Sequence, residues 1–254
     1  MHKDSIDSLF PGANQIKLTS CHSTNETASA LLAEGHLPQG SVIITDHQTK
    51  GKGQRGNSWE SEPGKNLTCS IILKPRFLPV QKQFELTVVT SLAVVNTLEE
   101  LGLPLGQVKW PNDVYYGDAK IAGILIENTV RANQLEHAVV GIGLNVNQVN
   151  FQVNHATSIC LELQQTQSLP HVFDLLYRHL AEYYDLLRTH ETEKLRNKYL
   201  SKLRGYGVLR TYRDLKNDQV IKAKITGVSN SGQLQLSTAS EELSYNFKEV
   251  SFLE

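Results

Sequence analysis

The sequence predicts an α+β fold in two domains, residues 1–204 and 205–254. Helix-length apolar segments and β-rich runs follow one another irregularly through the first domain. After about Gly205 short alternating strands, broken by turns at 230–232 and 239–242, are typical of a small β-barrel of SH3-like size. A hydrophobic fraction of 40% with 20% charged residues is ordinary for a globular protein with a sizeable core.

The first elements surround a glycine-rich loop. A short strand at Asn14–Ser20 precedes a helix, whose start is predicted at Ser23 because Ser23-x-x-Glu26 is a capping-box pattern before apolar residues at helical spacing. β-rich runs at 40–48 and 66–73 flank the glycine-rich segment. We therefore expect this loop to connect two strands.

The rest of the first domain mixes helices with strands. Residues 83–101 form an apolar segment of helix length, and residues 114–128 predict a β-hairpin that turns at Gly117-Asp118. A buried strand followed by a turn is predicted over 137–147. Residues 169–190 carry apolar side chains at helical spacing, which we interpret as a core face with no ligand role.

Composition and charge argue against several classes of protein. A formal net charge of −1 gives no general attraction to nucleic acid or to an anionic membrane. Three scattered cysteines cannot build a disulfide framework, and nine histidines occur without an HExxH or CxxC zinc motif. The first residues lack the apolar run of a signal peptide, and no stretch of about 18 apolar residues could span a bilayer. These features predict a cytoplasmic protein.

The segment from Gly51 to Gly56 has the spacing G-x-G-x-x-G. A Rossmann turn requires a helix directly after the glycines, whereas here Pro63-Gly64 and another strand follow. The P-loop pattern also fails, since no Lys-Ser or Lys-Thr follows the last glycine. Two interpretations remain: a plain hairpin loop, or a loop that binds a nucleotide. The second is favoured by two cations between the glycines and by the aromatic face of Trp59.

A second cluster of polar residues lies among β-forming, apolar neighbours at 109–128. Charged residues rarely occur in such a run unless they are paired or contact a ligand. Asn112 and Asp113 offer oxygens suited to Mg²⁺, and Pro111 fixes the backbone before them. Lys120 could neutralise a carboxylate or a forming acyl phosphate. Each residue taken alone fits a solvated hairpin or an ion pair; together with the glycine loop they favour a ligand site.

At these residues the sequence resembles the biotin–protein ligases. Four motifs carry the resemblance: STN at 23–25, HQTKGKGQRGNSW at 47–59, KWPND with K-x-x-G at 109–123, and GIGLNVN at 141–147. Their order and spacing agree with the family over residues 14 to about 150. The KWPND motif, with a lysine seven residues after its aspartate, is the most specific of the four.

The resemblance implies a fold and an activity. The fold is a mixed β-sheet catalytic domain with flanking helices, of the class II synthetase and biotin ligase type, plus a small C-terminal SH3-like β-barrel. The activity is that of an ATP-dependent ligase, which activates biotin as biotinyl-5′-AMP with Mg²⁺ and transfers it to a lysine of a biotin carboxyl carrier protein or domain. Only 22 residues precede the STN motif, so a DNA-binding helix-turn-helix is not expected. The oligomeric state, a homodimer included, stays open.

The resemblance also implies roles for individual residues. Biotin binding falls to Ser23, Thr24, Asn25, Gln48, Gly51, Lys52, Gly53, Gln54, Lys120 and Gly123. ATP and adenylate binding fall to Lys52, Gly53, Gln54, Arg55, Trp59, Asn112 and Asn145. The catalytic group comprises Lys109, Asp113, Lys120 and Arg55, and the magnesium ligands are Asn112 and Asp113. No cysteine or serine nucleophile is needed.

Three positions depart from the family pattern. Many members have arginine at the positions of Lys52 and Gln54, so either Lys52, Gln54 or Arg55 holds the adenylate phosphate. Lys248 stands where a glycine is common.

Asp113 acts either as a base or as a metal-binding and electrostatic group. Two other functions stay open: a lipoate–protein ligase, which shares the adenylation chemistry, and a non-catalytic biotin-binding module.

Overall fold

A computed structural model describes residues 10–35 and 37–253, and it describes Arg55 through its backbone alone. A seven-stranded mixed sheet forms the centre, in the order β1-β2-β3-β7-β6-β5-β4. The β1–β2 pair is parallel, and the other pairs are antiparallel. Its strands are β1 (Gln15–Leu18), β2 (Val42–Thr45), β3 (Leu67–Leu73), β4 (Gly106–Lys109), β5 (Asp113–Tyr116), β6 (Ala119–Arg131) and β7 (Gln134–Leu144).

Helices cover both faces of this sheet. They are α1 (Thr24–Ala33), α2 (Phe84–Glu100), α3 (Ile159–Leu163), α4 (Leu169–Arg188) and α5 (Thr192–Lys202). Alternate residues of β3 point to opposite faces, so Ile71 belongs to the large core beneath α2 and α4 while Ile72 packs on the α1 side. All seven residues of β3 are buried, including the polar Thr68 and Ser70, because both faces of the strand are covered. No helix within the described ranges is both long enough and apolar enough to cross a membrane.

The start of α1 confirms the predicted position but not the predicted cap. The helix begins at Thr24, yet the Ser23 side chain makes no capping hydrogen bond. The Thr24 amide instead donates to Gln48 Oε1 at 2.8 Å, and Glu26 forms an ion pair with Lys52 at 2.5 Å. The capping-box prediction is therefore wrong, because residues from the glycine-loop region satisfy the helix start in place of the local pair.

The C-terminal part is a five-stranded antiparallel sheet, as the tail predicts. The strands are β8 (Leu209–Asp214), β9 (Gln219–Val228), β10 (Leu234–Ser237), β11 (Glu242–Tyr245) and β12 (Val250–Leu253). They follow the order β11-β10-β9-β8-β12, so the last strand returns to pair with the first. The α+β class is thereby confirmed.

Buried contacts join the two sheets. Arg196 on α5 donates to the fully buried Glu85 of α2 at 2.6 and 2.8 Å, and it also donates to the Val228 carbonyl of β9 at 2.7 Å. Trp110 Nε1 donates to the Gly232 carbonyl at 2.9 Å. The apolar residues of the C-terminal sheet belong to the same core cluster as those beneath the central sheet. The C-terminal sheet therefore shares its core with the rest of the chain.

Replacing Arg196 with alanine should destabilise the protein strongly. The substitution would leave Glu85 buried without its cation, which typically costs about 3–5 kcal/mol of unfolding free energy. The measurement is denaturant-induced unfolding. Arg188→Ala is the matched control, because Arg188 and Asp185 form a pair with 55% and 31% exposed side chains and should contribute less than about 1 kcal/mol. Equal losses in the two variants would contradict the importance of the buried pair.

Candidate active site

A cleft of about 620 Å³ lies on the α1 side of the central sheet. Its floor is formed by β6 and β7, and one wall is the glycine loop at 52–59. The hairpin from Lys109 to Lys120 forms a second wall, and residues 247–252 of the C-terminal sheet contribute a third. The cleft thus joins three segments that are far apart in the sequence.

Glycines on two paired strands make the floor flat. Gly123 of β6 pairs directly with Gly143 of β7, and Gly141 lies two residues further along. A Cβ atom built on Gly143 would lie 2.3 Å from the Trp59 ring, and one on Gly141 would lie 2.4 Å from Asn25 Oδ1. Any side chain at these positions would collide with groups that rest on the sheet. The predicted free space beside Gly123 is taken by the indole of Trp59, 2.9 Å from an ideal Cβ there.

A polar network holds the STN turn on this floor. The Thr24 hydroxyl accepts from Ser70 Oγ at 2.7 Å and lies 3.2 Å from Gln48 Oε1. Asn25 Oδ1 lies 2.6 Å from Ser70 Oγ, and Asn25 Nδ2 donates to Glu127 Oε2 at 2.7 Å. Thr24, Asn25 and Ser70 are buried, so these bonds fix their side chains in one arrangement.

Ser70 and Glu127 complete this network, and neither belongs to the motifs that predict the site. Ser70 stands in the middle of the apolar run of β3, and Glu127 follows the apolar segment at 121–126. A polar residue at a position that the pattern assigns to the interior was the available signal, because such a residue needs a hydrogen-bond partner.

The hairpin brings Lys120 and Asp113 together as an ion pair of 2.6 Å. The two side chains are 33% and 25% exposed, so the pair lies at the boundary between cleft and solvent. Asn112 Nδ2 donates to the Ile124 carbonyl at 2.7 Å, which anchors its side chain to β6. Lys120 Nζ also lies 5.6 Å from the Trp59 ring centroid, within range of a cation–π contact.

Backbone contacts with a later segment support the strand that carries Lys120. The Lys120 amide donates to the His155 carbonyl at 2.7 Å, and the Thr157 amide donates to the Lys120 carbonyl at 2.9 Å. Lys109 is held differently, since its ammonium lies 4.7 Å from the ring of Tyr115 and 5.5 Å from that of Phe252. Both lysines are therefore placed at the cleft by contacts outside their own strands.

The glycine loop forms a small hairpin that carries a short 3₁₀ turn, Gln54–Gly56. The Gly53 amide donates to the Asn57 carbonyl at 2.7 Å, and the Trp59 amide donates to the Gly51 carbonyl at 3.0 Å. Lys52 reaches back to Glu26, and both side chains are about half exposed. This hydrogen-bonded pair lowers the pKa of Glu26 and raises the pKa of Lys52.

Most of the predicted site residues line the cleft. They are Ser23, Thr24, Asn25, Gln48, Lys52, Gly53, Gln54, Trp59, Lys109, Asn112, Asp113, Lys120 and Gly123. Gly51 is not among the lining residues and packs against the Trp59 backbone, 2.4 Å from an ideal Cβ. The side chain of Arg55 lies outside the described part of the structure.

Asn145 is not among the residues that line the cleft, and its Oδ1 atom is buried with no hydrogen-bond partner among the described residues. Its place beside the adenosine stays a prediction. The residue is buried, its Nδ2 donates to the Thr157 carbonyl at 3.0 Å, and its amide donates to the Ile121 carbonyl at 2.9 Å. These bonds tie the end of β7 to β6 and to the segment that supports Lys120. Asn145 therefore connects the end of β7 to the segment that supports Lys120.

The C-terminal wall was not predicted. Phe247, Lys248, Ser251 and Phe252 all line the cleft, and Phe247 contacts Trp110 of the KWPND motif with ring centroids 6.4 Å apart. The one signal in the sequence was Lys248 at a position where glycine is common. Its φ angle of +69° is the left-handed conformation that glycine adopts most readily.

The charges of the cleft suit an anionic ligand. Lysines approach it from three walls, and Asp113 is the carboxylate among the lining residues. Cys69 of β3 borders the cleft, but its side chain is fully buried in the core, and this burial raises the pKa of the thiol to about 12, so it is not a thiolate at neutral pH. Within residues 10–35 and 37–253 no cluster of three His, Cys, Asp or Glu side chains could hold a metal ion. The geometry favours electrostatic stabilisation over attack by a protein nucleophile.

Comparison with known proteins agrees with this arrangement. The chain is 37% identical over 126 residues to the bifunctional ligase/repressor BirA of Bacillus subtilis, covering 50% of this chain and 38% of that protein. It is 33% identical over 144 residues to the biotin–[acetyl-CoA-carboxylase] ligase of Mycobacterium tuberculosis, covering 56% and 52%. The chain thus spans less than two thirds of the length of these curated relatives.

Solved structures extend the similarity to almost the whole chain. The biotin protein ligase of Aquifex aeolicus in complex with biotin and ATP superimposes with a TM-score of 0.76 and 27% identity, covering 94% of this chain and 97% of that one. The sequence model of the Biotin/lipoate A/B protein ligase family matches residues 18–145, half of the chain. That match contains the first three motifs, the start of the fourth, and the floor and two of the three walls of the cleft. The chain therefore belongs to the Biotin/lipoate A/B protein ligase family.

Proposed function

We propose that this protein is a biotin–protein ligase, which activates biotin with ATP and transfers the biotinyl group to a lysine of an acceptor protein. The observation that carries the proposal is the convergence of the STN turn, the glycine loop and the Lys120–Asp113 hairpin on one cleft. The similarity to a structure described with biotin and ATP supports the same substrates. We further propose residues 1–204 as the catalytic domain and 205–254 as the C-terminal domain.

In the first half-reaction an oxygen of the biotin carboxylate attacks the α-phosphorus of ATP, and pyrophosphate leaves. Both reactants are anions, so their approach requires positive charge nearby. Lys52 on the glycine loop and Lys109 and Lys120 on the hairpin supply that charge. In the structure Lys120 pairs with Asp113 and Lys52 pairs with Glu26, so the charge of each lysine is neutralised while its side chain stays partly exposed. A carboxylate or phosphate that enters the cleft takes over these partners.

In the second half-reaction a neutral lysine amine of the acceptor attacks the acyl carbon, and AMP leaves with the phosphate oxygen. The amine must lose a proton during this step. Asp113 is the carboxylate of the cleft that could accept it, but we assign Asp113 chiefly an electrostatic role, since Lys120 already occupies one of its oxygens. Covering the mixed anhydride protects it from water.

The polar network defines the biotin end of the cleft. Thr24, Asn25 and Gln48 present fixed donors and acceptors to the polar ring of biotin, and Ser23 lies beside them, buried. Trp59 offers an aromatic face for adenine, which matches its position beside Lys120. Lys52, Gly53 and Gln54 border the region between the two, where the phosphate of the adenylate would lie.

Magnesium fits this site as a partner of the nucleotide. Mg²⁺ is commonly bound by one or two carboxylates together with substrate phosphates, and the cleft offers the Asp113 carboxylate and the Asn112 amide oxygen. With ATP bound, these two residues would hold the ion, which supplies additional charge neutralisation at the phosphates.

The acceptor that suits this chemistry is a biotin carboxyl carrier protein or domain. The relative from Mycobacterium tuberculosis is named for acetyl-CoA carboxylase, whose modification needs such an acceptor. We place the reaction in the cytoplasm, with no DNA and no membrane as partners. A homodimer is one arrangement in which the protein could act.

The decisive experiment is mass spectrometry of a purified carrier domain after incubation with the protein, ATP, Mg²⁺ and biotin. We expect the mass to increase by one biotinyl group. A parallel reaction with lipoate tests the second candidate, which the family description itself includes. Labelling by lipoate alone would identify a lipoate ligase, and biotin binding without pyrophosphate release would identify a non-catalytic module.

Lys120→Ala should lower the rate of adenylate formation by roughly 100-fold or more, because it removes the cation beside the reacting carboxylate and phosphate. Pyrophosphate release measures this step directly. Lys17→Ala is the control, since Lys17 lies on β1, pairs with Asp46 and has a 70% exposed side chain. Pyrophosphate release by the Lys120 variant at near the normal rate would remove this residue from the mechanism.

Gly143→Ala should weaken biotin binding about tenfold or more. The added methyl would lie 2.3 Å from the rigid Trp59 ring, so the indole must leave the floor and the cleft must change shape. Calorimetric titration with biotin measures the loss. Gly227→Ala is the control, because its methyl would meet only the flexible end of Gln235 at 2.6 Å. Unchanged biotin affinity in the Gly143 variant would contradict the importance of the glycine floor.

A further inference from the structure

Lys248 presents a charge to the cleft from the C-terminal wall. It is exposed, it lines the cleft, and its backbone has a φ angle of +69°. Side chains other than glycine rarely adopt this conformation, because it places Cβ close to the following carbonyl oxygen. The chain therefore keeps a lysine where glycine would be conformationally cheaper, and such backbone strain often occurs at functional sites.

The turn that carries Lys248 is held by its neighbours. Glu249 accepts hydrogen bonds from the Asn246 amide at 2.6 Å and from Asn246 Nδ2 at 3.2 Å. The same carboxylate pairs with Lys216 at 2.8 Å. The acidic neighbour is thus engaged within the turn and with another lysine, and in the described ranges no carboxylate pairs with Lys248.

The other lysines of the cleft are already engaged. Lys120 pairs with Asp113, Lys52 pairs with Glu26, and Lys109 lies over two aromatic rings. A nucleoside triphosphate brings about four negative charges into the cleft, and the paired lysines must exchange their partners to meet them. Lys248 can bind an anion without breaking an ion pair.

We propose that Lys248 binds the terminal phosphates of the nucleoside triphosphate and stabilises the pyrophosphate as it leaves. This inference rests on the proposed function and adds a residue of the C-terminal sheet to it. Lys248 supplies a positive charge from the C-terminal wall.

Lys248→Gly separates a role of this residue in ATP binding from a role in folding, because the variant should be more stable and yet bind ATP more weakly. Glycine relieves the backbone strain, so the melting temperature should rise by about 2–4 °C. Removal of the ammonium should raise the KM for ATP roughly threefold to tenfold in pyrophosphate release, with the KM for biotin unchanged. High salt should reduce the difference from the wild type.

Two further variants complete the test. Lys248→Arg should keep the KM for ATP within about twofold, and Lys248→Met should reproduce the loss. Lys224→Met is the matched control, because Lys224 is exposed on β9 and does not line the cleft. An unchanged KM for ATP in both the glycine and methionine variants would overturn the proposal, as would a change confined to the KM for the acceptor. A wild-type protein that releases no pyrophosphate would refute the ligase function itself, which is a separate outcome.

Discussion

The site depends on how closely groups can approach the paired strands β6 and β7. Gly123, Gly141 and Gly143 leave a strip of bare backbone, and Asn25 and Trp59 lie directly on it. The network around Asn25 then fixes the start of α1, and the position of Trp59 fixes the end of the glycine loop. A methyl group on Gly141 would displace Asn25, and one on Gly123 or Gly143 would displace Trp59. The shape of the cleft is therefore set first by missing side chains and only then by the polar groups around it.

Two lysines of the cleft, Lys52 and Lys120, form ion pairs with carboxylates. Lys120 with Asp113 and Lys52 with Glu26 hold four charged groups near the surface at low cost, because each pair remains partly in contact with water. An anionic ligand replaces the carboxylate as the partner of the lysine, so it does not need to remove the full hydration shell of an unpaired ammonium. This arrangement explains why the KWPND hairpin joins a lysine and an aspartate at a spacing that brings them to the same face.

The sequence predicted the elements and most of the cleft lining, because periodicity and the four motifs are local. It failed where distant residues compete with local ones. Ser23-x-x-Glu26 has the pattern of a capping box, but Gln48 and Lys52 bind those groups in the folded chain. The C-terminal wall depends on packing between the two sheets, which no local pattern encodes.

The three walls of the cleft differ in how strongly they are attached to the rest of the protein, and this difference determines which of them can move. The C-terminal wall is fixed through the buried contact of Arg196 with Glu85 and through a common core, so opening it would expose charge and apolar surface together. The glycine-loop wall is tied to α1 by Lys52 and Glu26, which are half exposed. Substrates should therefore enter, and products leave, by movement of the glycine loop at 52–59, while the C-terminal sheet keeps its position.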